Sequence, residues 1–168
     1  NGVVTIAKTD VAYLDTATFN VKPNEGYRID SVTAYYVDER GKDQTITFTD
    51  VQPNATTGGV DYSFIMPASD VHIVATFAKL TYLASVNLTG EATVQLDGNY
   101  TDELYYDFAD TVTITITPAS GWEISSVVAD GKTLTANADG NYTFTMPAHD
   151  VTIDITVIKT GYTVTGVV

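Results

Sequence analysis

The chain has 168 residues, with 21 acidic against 8 basic side chains and a formal net charge of −13. So few Lys and Arg argue against nucleic-acid phosphates and anionic membrane surfaces as partners. Cysteine is absent, which excludes disulfides, thiolate metal sites and cysteine nucleophiles, and no apolar run is long enough to insert in a membrane as a helix.

Alternation of period two dominates from the first strand signal onward. Ala17, Phe19 and Val21 alternate with Thr18, Asn20 and Lys22, which predicts a half-solvated strand with one buried face. Pro23 ends it, because proline cannot donate to a ladder, and Gly26 reopens the chain at Tyr27. From Tyr62 to Phe77 the sequence reads YSFIMPASDVHIVATF. That is a strand, a corner at Met66-Pro67 where proline fixes φ and Asp70 can bond nearby amides, and a returning strand. In the second half Val112, Ile114 and Ile116 alternate with Thr113, Thr115 and Thr117 before Pro118. Gly121 leads into Trp122, and Asp130-Gly131 marks a hairpin turn between Val127 and Leu134. Asp139-Gly140-Asn141 marks the next connection. Tyr142 to Val157 then reads YTFTMPAHDVTIDITV, with a second corner at Met146-Pro147.

These elements occur twice. The Met-Pro block repeats at an offset of 80, and Asp15 to Val32 (DTATFNVKPNEGYRIDSV) repeats as Asp110 to Val127 (DTVTITITPASGWEISSV) at an offset of 95. A fixed-period echo is the signature of a supersecondary unit copied in tandem. We read a first β module at 1–80 with an insertion at about 38–61, and a second at 81–160 with an extra segment at about 97–108. The tail 161–168 is read as the start of a further repeat, because Lys159-Thr160-Gly161-Tyr162 copies the spacing of Lys79-Leu80-Thr81-Tyr82. Five or six short strands per module predict an all-β chain of two small antiparallel β-sandwich or β-grasp-like units.

The ordered blocks D-T-x-T-x-x-x-x-P-x-x-G-(Y/W)-x-I-x-S-V and Y-x-F-x-M-P-A-x-D-V-x-(I/V) resemble the divergent internalin B-type repeats (InlB B-repeat-like) of bacterial surface proteins. The resemblance covers roughly half the chain, spread over both copies. It implies tandem β modules on a secreted or wall-anchored protein, extracellular and at the cell surface, serving as stalk, spacer or accessory interaction domains. The implied partners are adjacent domains of a longer chain, and there are no catalytic residues to carry over.

The residues themselves offer little for catalysis. His72 falls on a strand and His149 in the second Met-Pro corner, where the first copy has Ser69, and no G-x-S-x-G elbow occurs. We therefore expect no enzyme and no cofactor. A surface calcium ion is the one metal reading that the residues suggest: Asp97, Asn99, Thr101 and Glu103 alternate oxygen donors along one segment. The EF-hand pattern fails there, since Asp102 stands where glycine is needed and Phe108 where the closing carboxylate is needed, and a solvated acidic loop is the competing account. Binding of a glycan or a host surface protein would need exposed aromatic faces for stacking. Tyr35 and Tyr36 at the first insertion, and Tyr100, Tyr105 and Tyr106 in the second, are the candidates. The alternative is that one tyrosine of each adjacent pair is core.

Overall fold

The computed structural model describes residues 1–161, and the repeat-like tail beyond Gly161 lies outside them. The chain divides into two compact units, Asn1–Lys79 and the segment from Leu80 onward. Among the described residues both are built from strands alone, so the all-β expectation holds.

In the first unit the strands are β1 (Gly2–Ile6), β2 (Thr16–Pro23), β3 (Tyr27–Val37), β4 (Asp43–Thr45), β5 (Asp50–Asn54), β6 (Gly59–Ile65) and β7 (Val71–Lys79). They form two sheets, in the orders β1-β2-β6-β5 and β4-β3-β7. The alternation in β2 behaves as pattern physics requires: Ala17, Phe19 and Val21 are buried, Thr16, Thr18 and Lys22 are exposed and Asn20 is half-buried. Phe19, Val21, Tyr62 and Phe64 from one sheet meet Ile29, Val32, Ile73 and Phe77 from the other in one core. The insertion is not a bare loop. It supplies β4 and β5, and Ile46 and Phe48 pack on the same core, with the Phe48 ring edge-on to Tyr62 at 5.0 Å.

The second unit comprises β8 (Thr81–Thr89), β9 (Ala92–Leu96), β10 (Glu103–Asp107), β11 (Thr111–Pro118), β12 (Trp122–Ala129), β13 (Lys132–Thr133), β14 (Tyr142–Thr145) and β15 (Val151–Lys159). Its sheets run β14-β11-β9 and β10-β8-β15-β12-β13. Val112, Ile114, Met146, Ile153 and Ile155 lie at its centre with at most 1% exposure.

The second unit repeats the first in detail. Thr16 pairs with Ile65 at the start of the β2–β6 ladder, and Thr111 with Thr145 in the β11–β14 ladder. A bulge falls between Ile29 and Ser31 in β3, and its counterpart between Ile124 and Ser126 in β12. Leu14 and Ala109 precede the equivalent strands with φ of 66° and 64°, a left-handed conformation uncommon outside glycine. The Met66 amide donates to the Asp15 carbonyl at 2.9 Å and the Met146 amide to the Asp110 carbonyl at 2.8 Å. Register, bulge and corner are thus all copied.

Two features depart from the sequence reading. Among the described residues the units have seven and eight strands rather than five or six, and two of these, β4 and β13, are too short to show alternation. And β8 runs parallel to β15, from Val151↔Ala84 to Thr156↔Thr89, in an otherwise antiparallel set of pairings. A parallel neighbour must come from a distant crossover, and here it is the first strand of the unit laid beside its last.

Candidate functional site

One polar-lined concavity of the first unit is built from cross-strand pairing. On the outer face of the β1-β2-β6-β5 sheet, Asn20 of β2 stands opposite Asp61 of β6, and its amide donates to the Asp61 carboxylate at 2.6 Å and to Thr57 Oγ1 at 3.1 Å. Asn54, at the end of β5, donates to the other Asp61 oxygen at 2.8 Å. Asn54 Oδ1 accepts from the amides of Thr56 and Thr57, both at 3.0 Å, which shapes the turn into β6. Together with Thr5, Asp50 and Gln52 these groups line a trough of about 540 Å³. Its chemistry is that of amides, hydroxyls and carboxylates, suited to hydroxyl-rich ligands. Both histidines lie elsewhere. The equivalent pair in the second unit, Thr115 Oγ1 to Asn141 Oδ1 at 2.7 Å, is smaller and lacks the β5 wall.

Asp61 holds two side-chain amides that no water-facing rotamer would replace equally well. Replacing Asp61 by Ala leaves both partly buried amides short of an acceptor, and about 1–3 kcal/mol of first-unit stability should be lost. Urea unfolding followed by far-UV circular dichroism measures it, and an unchanged midpoint would show the network to be idle. The trough was not legible in the sequence. The polar stretch Gln52 to Asp61 was visible, but Asn20 joins it only through the β2–β6 register.

The tyrosines separate cleanly. Tyr100 is 78% exposed and Tyr105 68%, whereas Tyr106, the next residue on β10, is buried in the second core. Alternation forces that split, so Tyr106 cannot belong to an exposed aromatic platform. Burial, with the Asp97 charge nearby, pushes its phenol well above the usual tyrosine range. Tyr100 borders a shallow concavity of about 570 Å³ with Thr101, Asp102, Val86 and Thr93. In the first unit Tyr35 and Tyr36 are both half-buried on β3. Tyr35 stacks on His72 at 5.1 Å, and Tyr36 sits with Tyr13 beside the Met66-Pro67 corner. Of the five, Tyr100 and Tyr105 are exposed, Tyr35 and Tyr36 half-buried and Tyr106 buried.

The acidic segment 97–103 is a turn. Asp97 and Gly98 carry φ of 46° and 79°, as a two-residue hairpin demands, and Leu96 bridges to Asn99. Asp97 Oδ1 accepts from the Thr113 amide at 3.2 Å, the Asn99 amide donates to the carbonyls of Leu96 and Asp97, both at 3.3 Å, and Thr101 Oγ1 donates to the Glu103 carbonyl at 2.8 Å. These donors serve the local backbone. Among the described residues no group of three or more His, Asp or Glu side chains is placed to hold a metal ion.

His149 finds a partner that the sequence reading missed. Its Nε2 lies 2.9 Å from Asp130 Oδ1, which ties the Met146-Pro147 corner to the Asp130-Gly131 turn, and both side chains are open to solvent. The hydrogen bond to His149, outweighing partial burial and helped by the charges of His149 and Lys132, holds the Asp130 carboxyl below its ordinary range. A carboxyl depressed in the folded state adds stability above its unfolded pKa and loses it as pH falls through the folded value. In His149→Ala the Asp130 midpoint, followed by carboxyl-carbon NMR, should therefore move up towards the ordinary aspartate value. An unmoved midpoint would mean that the pair does not persist in solution.

With this geometry in place, comparison with known proteins gives one family match. Residues 82–157 fit the family model described as the divergent InlB B-repeat domain. The second unit is a divergent InlB B-repeat domain. That match runs from Tyr82 in β8 to Val157 in β15, so it includes the parallel strand and ends with the core-forming face. InlB B-repeats are repeat domains associated with bacterial surface proteins and are typically non-catalytic. No curated protein matches the chain. Among the described residues no helix is long and apolar enough to cross a membrane.

Proposed function

We propose that this chain is a non-catalytic tandem repeat region of an exported bacterial cell-surface protein, acting as a spacer or accessory interaction domain. The observation that carries it is the repetition itself. An InlB B-repeat domain follows a unit with the same ladders, bulge and Met-Pro corner, and only Leu80 separates their strands. Each unit spends its apolar faces on its own core and turns threonine outward, which is what a module repeated for reach rather than for chemistry requires. Net negative charge keeps such a region soluble and disfavours collapse onto anionic surfaces. The test is surface display. An epitope carried beyond the two units on a wall-anchored fusion should become more accessible to antibody as further copies are inserted, and accessibility independent of copy number would contradict a spacer role.

A second reading is supported by the exposure of Tyr100 and Tyr105, whose open rings suit sugar stacking. It makes the second unit a weak glycan- or host-ligand-binding module. A glycan array compared with Tyr100→Ala and Tyr105→Ala decides it, since binding that survives both changes cannot use these rings.

A further inference from the structure

Register extends the Asn20–Asp61 pair into a line across a whole sheet. Thr5 of β1 is opposite Asn20 of β2, Asn20 opposite Asp61 of β6, and Asp61 opposite Gln52 of β5. All four line the trough. A second line runs beside the first, with Thr18 opposite Ser63 and Ser63 opposite Asp50. Alternate residues of a strand share a face, so both lines lie on the side away from Phe19, Tyr62 and Phe64 of the core.

The floor of the trough is fixed and its margin is open. Asn20, Asp61 and Ser63 are half-buried, whereas Thr5, Thr18, Asp50 and Gln52 are exposed. The Asn20 amide is held by Thr57 and Asp61. Gly59 leaves room for it, because a Cβ there would stand 2.8 Å from Asn20 Oδ1 and 2.6 Å from the Val21 carbonyl. Gln52 donates to Asp50 Oδ1 at 2.9 Å. Asn20 Oδ1, the other Asp50 oxygen and the hydroxyls of Thr5, Thr18 and Ser63 make no hydrogen bond to a described residue. The unused capacity is therefore that of acceptors and hydroxyls.

The second copy lacks this surface. Its corresponding sheet has three strands and no counterpart of β5, and Asn141 stands where the first copy has Asp61. The insertion thus adds the trough to a face that both copies share. Charge narrows the ligand further. Two carboxylates and no basic side chain line the trough, in a chain of net charge −13, so phosphate, sulfate and uronic-acid groups are repelled.

We propose that the trough binds a neutral, extended oligosaccharide laid across the four strands from β1 to β5. Neighbouring strands lie about 4.8 Å apart, close to the length of one pyranose ring, so successive rings meet successive strands. Ring hydroxyls donate to Asp50, Asp61 and Asn20 Oδ1 and exchange hydrogen bonds with Thr5, Thr18 and Ser63. The floor groups already hold one another, so little ordering opposes binding. The site uses none of the residues of the Tyr100 and Tyr105 reading and does not rest on the spacer role.

The test is NMR titration of the isotope-labelled full chain with β-linked tetrasaccharides of glucose, mannose, galactose and xylose, with tetragalacturonate as the anionic counterpart. At least one neutral tetrasaccharide should move the side-chain amide signals of Asn20, Gln52 and Asn54 saturably, leaving Thr113 and Thr143 on the corresponding face of the second unit unmoved. It should bind at least about tenfold more tightly than its monosaccharide, since each added ring gains hydrogen bonds. Gln52→Ala should weaken binding about 2- to 10-fold. Thr18→Trp, which fills the open margin, should abolish it with the unfolding midpoint retained. The proposal is overturned if no neutral tetrasaccharide moves the trough signals at millimolar concentration, leaving a solvated sheet face. It is equally overturned if monosaccharide or tetragalacturonate binds as tightly, or if the shifts fall only at Tyr100 to Asp102 and survive Thr18→Trp.

Discussion

Phe19→Ala should destabilise the first unit by about 3–5 kcal/mol. The ring is 2% exposed, stacks on Tyr62 at 5.1 Å, and meets Phe48 and Phe64 edge-on at 5.8 and 6.3 Å. No neighbour can fill the gap, because the opposing rings are rigid and fixed to β6 and to the loop between β4 and β5. Only five buried residues form this core, against thirteen in the second, so one truncation removes a large part of it. Amide signals at Val21 and Phe64 report the loss, while those at Ile153 and Ile155, which belong to the other core, should stay. The equivalent Ile114→Ala should cost the second unit about 2–5 kcal/mol. A loss under about 1 kcal/mol for Phe19→Ala, the size expected of a surface substitution, would mean that the aromatic cluster is not packed as described.

Gly90→Ala carries the other large effect. Gly90 turns the chain between β8 and β9 with φ of 98°, and a Cβ there would overlap the Val157 carbonyl and press on the Trp122 ring. The left-handed backbone costs an L-residue about 1–2 kcal/mol, and forcing atoms into a filled site adds about 1–3 kcal/mol. Gly98→Ala separates the two contributions. Its φ is 79°, but nothing lies within 4 Å of the added carbon, so only the backbone cost of about 1–2 kcal/mol applies. Thermal unfolding read through Trp122 fluorescence ranks the pair. Equal losses would place the strain in the backbone alone and remove the close packing of Gly90 on β15.

Much of this architecture was legible in residue order. Alternation placed the buried faces of β2, β11 and β15, and duplication placed both Met-Pro corners, because local period and turn chemistry act over a few residues. Partnership was not legible. The side chains of β8 alternate as those of an antiparallel strand would, and nothing in a period of two says that its neighbour begins at Val151. The same blindness applied to Tyr105 and Tyr106. Their adjacency showed that one must face inward, but which one depended on where β10 meets β8, with Tyr106 opposite Tyr82. Asn20 was hidden for a related reason. In sequence it is one polar residue in a threonine-rich strand, and it acquires meaning only opposite Asp61. The insertion at 38–61 serves structure through Ile46 and Phe48, whose packing on the core no local pattern announces.

The account rests on one module made twice, with the last strand paired along both edges in the second copy and, among the described residues, along one edge in the first. Amide hydrogen exchange compares the two last strands within one molecule, in a dilute sample of the chain ending at Lys159. Amides along Val151–Lys159 should be slow throughout, since both edges of β15 are paired. Along Val71–Lys79 slow and fast amides should alternate, as alternate N–H groups face β3 or open solvent. Uniform protection of both strands would contradict the account.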